Sequence, residues 1–246
     1  MPNGPHRLEC RKRNVCWDPK MILKPSEAQA FYDRFGKKQD TQCFYEDPAI
    51  DDLIAHASFS EANNVFEFGC GTGRFAARLL KEILPEAATY VGCDLSRTMV
   101  DLATKRIASY AQRAKVFQSD ISALASVPEH SVDRLISSYV LDILSEADIA
   151  EFLLGANRIL RAGGKVCLVS LTKGVTLPSR IVAGIWTLVF RLRAALVGGC
   201  RPIILERHID PEYWETEYRN VVIAFGVPSE VLVARVKHYY HSERLF

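Results

Sequence analysis

Apolar positions along the chain switch repeatedly between two periods. Short runs of strand-forming residues recur at 64–68, 89–93, 114–118, 132–136 and 165–170. Between them the apolar positions fall at helical spacing. Phe75, Leu79, Leu80 and Ile83 share one side of a helix, and Ile149, Leu153, Ala156 and Leu160 do so in a longer one over 146–160. Strand midpoints lie roughly 20 to 30 residues apart, the spacing that strand–helix–strand crossovers need. Such crossovers are right-handed, so the pattern predicts an α/β fold, a doubly wound parallel sheet with helices on both faces. Two later β-rich runs, 219–225 and 230–237, read as a hairpin across Gly226-Val227-Pro228-Ser229.

Ahead of the first strand the spacing predicts a helix over 26–35, capped by Ser26 and stopped by Gly36, with Phe31, Tyr32 and Phe35 on one side. A second helix is expected over 47–56, with Pro48 at its first position. Ser96 stands where it can cap a helix that begins beside it. The segment 171–205 departs from the alternation. Its stretch 181–190 is almost wholly apolar around Trp186, and its charges, Lys173, Arg180, Arg191, Arg193 and Arg201, include no acid. The ordinary role of such a stretch is a buried helix over one face of the sheet. Two functional roles stand beside it: an apolar roof over a pocket, or a helix over 178–197 lying at a membrane surface with arginines at the headgroups. A short helix is expected within 201–208.

The chemistry concentrates at the first strand. Val65 to Phe68 runs into Gly69, Gly71 and Gly73 and then into helical spacing. Glycines there let a ligand lie against bare backbone, and a new helix offers unpaired N–H groups at the same place. Arg74 occupies the position of the third glycine of the dinucleotide pattern, and no Lys-Ser or Lys-Thr follows, which excludes a P-loop. The second strand ends in Asp94, a carboxylate suited to two ribose hydroxyls. The third is followed by Ser119-Asp120-Ile121, and the fourth by Ser137-Ser138-Tyr139, with Asp142 just beyond.

Glu67-x-Gly69-x-Gly71-x-Gly73 resembles motif I of the class I S-adenosylmethionine-dependent methyltransferases. Arg158-Ile159-Leu160-Arg161-Ala162-Gly163-Gly164 is typical of their small-molecule members, and Asp133 fits the Asp-x-apolar start of their fourth strand. The resemblance spans about 47–237 and is nearest the ubiquinone/menaquinone methyltransferase group. It implies a Rossmann-like, seven-stranded, mostly parallel sheet whose last strand is antiparallel and lies beside the fifth, with N-terminal lid helices. It implies S-adenosyl-L-methionine as cofactor, held by Glu67, Gly69, Cys70, Gly71 and Gly73, by Asp94 with Leu95, and by Met99 against the adenine. Asp120 would meet the adenine amino group, Ile121 a ring nitrogen through its N–H, and Ser138 would lie near the transferring methyl. The segment Tyr32-Asp33-Arg34-Phe35 resembles the lid that closes over the cofactor. If the acceptor arrives protonated, Tyr139 and Asp142 are the candidate bases. His208 is a third, although a lone histidine before a loop is more often structural. Ser137-Ser138-Tyr139-Val140 replaces the Asn/Asp-Pro-Pro-Tyr of many N-methyltransferases, which puts adenine-N6 or glutamine methylation in doubt. Two rivals remain at this stage: an NAD(P)-dependent oxidoreductase and a catalytically silent methyltransferase-like binding module.

Composition adds limits. The chain has 246 residues, 48% apolar and 24% charged, ordinary for one large domain. A net charge of +2 gives no global argument for nucleic acid. The apolar insertion and the aromatics of the lid segment suggest a small, apolar or lipid-like molecule as the acceptor. The seven scattered cysteines show no metal spacing and read as reduced thiols, pointing to the cytoplasm. The start of the chain lacks the apolar core of a signal peptide, and no stretch reaches the ~20 apolar residues of a membrane span. Organisation is expected as a basic tail and lid helix over 1–46, a methyltransferase domain over 47–237 with an insertion at 171–205, and a tail at 238–246.

Overall fold

A computed structural model describes residues 21–237. The expected basic tail up to residue 20 and the tail at 238–246 lie outside the described residues. Seven strands form one sheet: β1 (Asn64–Phe68), β2 (Thr89–Asp94), β3 (Ala114–Gln118), β4 (Val132–Ser138), β5 (Leu160–Leu171), β6 (Trp214–Ala224) and β7 (Val227–Val236). Their spatial order is β3-β2-β1-β4-β5-β7-β6. The first five pair in parallel, and β7 runs antiparallel between β5 and β6. The order reverses between β1 and β4, where the carboxyl ends of both strands open a crevice.

Helices α1 (Pro25–Phe35), α2 (Cys43–His56), α3 (Arg74–Glu82), α4 (Arg97–Arg106), α5 (Ala123–Ser126), α6 (Glu146–Ile159) and α7 (Leu177–Arg193) surround the sheet. The pleat divides the core in two. Phe66, Phe68, Leu135 and Leu168 face Ile149 and Phe152 of α6. Val65, Ile136 and Val169 face Leu53 of α2 and Leu79 of α3. Asp133 pins the strand entrance, accepting the N–H groups of Asn63 and Asn64 at 2.7 Å each.

Several local expectations change. Ser26 is not the cap of α1; Lys24 holds that position, and the Glu27 carboxylate accepts its N–H. Helix α2 begins at Cys43, so Pro48 sits inside it rather than at its start. Leu160 leaves α6 directly into β5, with Gly163 in the left-handed region beyond. The hairpin turn is Phe225-Gly226, with φ of +50° and +81°, and Val227-Pro228-Ser229 belongs to β7. The stretch 205–208 is a single 3-10 turn. The apolar insertion forms α7, but only Ser179, Ala183 and Phe190 of that helix are buried. It does not cover the sheet as an ordinary core helix would.

Candidate active site

The loop after β1 earns its glycines in three different ways. A Cβ on Gly69, at φ +78°, would lie 2.2 Å from a Val140 methyl. One on Gly71, at φ +51°, would lie 2.8 Å from the Gln39 side-chain oxygen. Both residues line the crevice. Gly73 lines neither cavity there; a Cβ on it would come 2.8 Å from the Ala103 Cα, so this glycine lets α3 pack on α4. The expected role of Gly73 at the ligand therefore gives way to helix packing.

The loop amides are also spoken for. Gly69 and Cys70 donate to the Cys93 carbonyl at 2.9 Å, and Gly73 donates to Cys70. Gly71 donates to Asp94 Oδ2 at 2.9 Å. The loop thus supplies space and a rigid seat rather than a row of free donors.

Two adjoining cavities occupy the crevice and share Gln39, Gly69, Ser138 and Tyr139. The larger, about 180 Å³, is lined by Tyr32, Asp94, Leu95, Met99, Asp120 and Ile121 among others. The smaller, about 60 Å³, is lined by Glu67, Cys70, Gly71, Thr72, Glu46 and Arg74 among others. Asp94 is anchored by the N–H groups of Gly71 and Ser96, one to each oxygen. Burial pushes its pKa up to about 6. Asp120 accepts both the N–H and the hydroxyl of Ser122 on one oxygen; those bonds hold its pKa below the usual range. Ser96 caps α4, accepting the Met99 N–H at 3.1 Å, and this fixes Met99 under the cavity.

Glu67 is buried and accepts the Tyr90 hydroxyl. Burial raises its pKa to about 7, against the pull of that hydrogen bond. Tyr139 sits at φ +57°, which throws its ring to the junction of the two cavities, and its hydroxyl donates to Ser229 Oγ at 2.8 Å. Burial pushes its pKa far up, so the phenol holds its proton and does not serve as a base. Asp142 is fully buried and lines neither cavity. Its carboxylate accepts the Leu171 N–H at 3.1 Å, and its carbonyl accepts Arg201. The candidate base Asp142 is instead a brace between the β4 exit and the end of β5. His208 lies beside Glu146, also away from both cavities.

Gln39, Asp40 and Glu46 gave no signal in the sequence, and the structure adds contacts at positions that did. Gln39 lines both cavities, and its side-chain oxygen is buried with no hydrogen-bond partner among the described residues. Ser138 Oγ is orphaned in the same way. Arg74, the residue that breaks the dinucleotide pattern, pairs with Glu46 at 3.3 Å and with Asp47, tying α2 to α3. Asp33 accepts the Ser96 hydroxyl at 2.6 Å, and Asp40 pairs with Arg106 at 2.6 Å, so the segment before β1 is clamped over α4. Tyr32 lines the larger cavity and donates to the Gly198 carbonyl at 3.3 Å, joining α1 to the loop beyond α7.

A cationic nucleoside fits this arrangement. Among the described residues Glu67 and Asp94 have no basic side chain bonded to them, and the orphaned Gln39 and Ser138 oxygens sit where the cavities meet. Residues 65–164 match the methyltransferase domain family model. This part of the chain is a methyltransferase domain of the class I, S-adenosylmethionine-dependent kind. S-adenosylmethionine offers ribose hydroxyls that the Asp94 carboxyl can accept, and its ammonium and sulfonium would favour an ionised Glu67.

Among curated relatives of this methyltransferase, a polyketide synthase-nonribosomal peptide synthetase of Aspergillus clavatus is 30% identical over 125 residues, covering 49% of the chain and 3% of that protein. The mouse tRNA N(3)-cytidine methyltransferase METTL6 is 30% identical over 148 residues, covering 57% of the chain and 52% of its own length. The chain therefore spans about half of the second relative and a small part of the first. A solved geranyl diphosphate methyltransferase, in complex with GPP and sinefungin, shares the fold with a TM-score of 0.57 at 12% identity, covering 77% of each chain.

Proposed function

We propose that the chain transfers the methyl group of S-adenosylmethionine to a small, apolar or lipid-like acceptor by in-line displacement. The observation that carries the acceptor class is the apolar part of the larger cavity's lining, Ile22, Leu23, Ala28, Val140, Ile143 and Leu144. Such a wall rewards an acceptor that buries apolar surface and offers nothing to a phosphate backbone.

In this reading Asp94 takes the ribose hydroxyls, Asp120 and Ile121 the adenine edge, and Met99 and Leu95 its faces. Glu67, Gly69, Cys70 and Gly71 seat the amino-acid end, Ser138 and Gln39 lie near the sulfur, and Tyr32 closes the lid. The cofactor supplies an activated electrophile. The chain's own part is to align the acceptor and exclude water, which α1 and the clamped segment 36–42 accomplish. A proton, where one must leave, goes to Glu46: burial raises its pKa to about 7, and it lines the smaller cavity beside Tyr139.

The test incubates the protein with methyl-labelled S-adenosylmethionine and fractionated extract. Label in an organic-extractable small molecule is the expected result. Label in the RNA fraction, the chemistry named for the METTL6 relative, would overturn the acceptor class. Binding without label in any fraction would make the chain a silent binding module. Asp94→Ala should weaken cofactor binding, and Gly71→Val should block it.

A further inference from the structure

Helix α7 has two apolar faces, and only one is used inside the protein. Ser179, Ala183 and Phe190 are buried. Leu177, Ile181, Ile185, Leu188 and Leu192 are 57–77% exposed. At 100° per residue these five fall within an arc of about 80°, centred opposite the buried face. Exposed Arg180 and Arg191 border the arc on one side, and exposed Arg193 is the last residue of the helix. No acid occurs anywhere in 171–205.

Two further features adjoin α7. At the β6–β7 turn Phe225 is 81% exposed and adopts a left-handed backbone at φ +50°, a place where turn chemistry favours asparagine, aspartate or glycine. Its ring meets the half-exposed Phe44 edge-on, with centroids 5.5 Å apart, so the two present an exposed aromatic pair at the turn. A Cβ on the adjoining Gly226 would lie 3.2 Å from Val182, so this tip rests on α7. At the other end, Arg34, Lys38 and Arg193 surround a shallow cavity floored by Phe31, Phe35 and Leu196, with no acid in its lining. No ion pair to any of these three cations occurs among the described residues.

We propose that α7 docks this protein on an anionic bilayer, its outer Leu/Ile ridge and Phe225 entering the headgroup–acyl boundary and Arg34, Lys38 and Arg193 holding lipid phosphate. An apolar stripe bordered by arginines is the pattern of a helix lying in a membrane interface, with the guanidinium groups reaching the headgroups. The uncompensated positive charge selects an anionic surface over a neutral one. A span is ruled out for α7, because no helix among the described residues is long and apolar enough to cross a membrane. The docking needs no cofactor, so its failure and that of the methyl-transfer reading are separate results.

The test is co-sedimentation of the full chain with phosphatidylcholine vesicles, with and without phosphatidylglycerol. Binding is expected to the anionic vesicles and to weaken as salt is added. The pair Ile181→Ser and Ile185→Ser, at exposed positions, should lower partitioning at least tenfold. The triple change Arg34→Gln, Lys38→Gln and Arg193→Gln should cost about fivefold per charge removed. Thermal melting by circular dichroism checks that each variant folds, and the charge triple stands as an independent test if the serine pair does not. Absence of binding to anionic vesicles, or undiminished binding by both variants, overturns the proposal. So does a dimer in sedimentation velocity that the serine pair dissolves, since a second copy would then cover the ridge.

Discussion

Replacing Glu67 with glutamine separates what folding and ligand binding each ask of this carboxyl. Glu67 is 2% exposed, and its hydrogen-bond partner is the Tyr90 hydroxyl. Burial moves its pKa from 4.5 to about 7; the Tyr90 bond opposes that rise, and the Asp94 charge adds to it. At 1.36 kcal/mol per pH unit the rise stands for about 3 kcal/mol against the charged form. The folded-state pKa lies above the unfolded one. The contribution to stability is therefore full below about pH 4.5, declines as pH rises through about 7, and is gone above that. An amide has no such titration, and its carbonyl still accepts from Tyr90. Without ligand, the glutamine variant should be more stable than the parent by about 2–3 kcal/mol near pH 8, relative to their difference below pH 5. Asp94 titrates in a nearby window in both proteins, so its effect largely cancels in the comparison. The ligand reverses the preference. A sulfonium and an ammonium favour the ionised carboxylate, so Glu67→Gln should weaken S-adenosylmethionine binding near pH 8 by about tenfold or more. Urea unfolding followed by circular dichroism reads the first effect and titration calorimetry the second. Parallel stability–pH curves for the two proteins would refute the burial argument. An unchanged affinity would show that Glu67 does not face the ligand.

Other expected outcomes follow from the same contacts. Gly73→Val should destabilise by about 1–3 kcal/mol through its clash with Ala103, and folded protein should still bind cofactor, because Gly73 lines neither cavity. Asp142→Ala leaves the Leu171 N–H without its acceptor in the interior and should cost about 2–4 kcal/mol in a thermal melt. Tyr139→Phe should retain methyl transfer with an unshifted pH–rate profile; a lost basic limb would restore the phenol as the base. Arg74→Gln frees α2 from α3 and should lower cofactor affinity more than stability, since its ion pairs are partly exposed and worth about 1 kcal/mol at most; equal losses in calorimetry and melting would refute a lid role.

The strand runs and the positions of Glu67, Gly69, Gly71, Asp94, Asp120 and Ser138 were legible in one dimension. In a parallel sheet the end of each strand is a fixed place, and apolar period marks where a strand ends. The sequence also indicated that 171–205 differs from the core around it. It held no information on which groups meet across the crevice. Gln39 reaches Gly71 only because a 3-10 turn folds over α4, and burial of the Tyr139 phenol, which pushes its pKa up, comes only with the packed crevice. Asp142 and Asp94 look alike as carboxylates following strands; packing puts one in the interior and the other on the cavity. The outward face of α7 follows the same logic: its composition is that of a core helix, and only the placement of its neighbours leaves half of its apolar surface facing out. Local pattern fixes each element through short-range hydrogen bonding and period. Which side chains become neighbours, and which stay in water, is a property of the assembled chain.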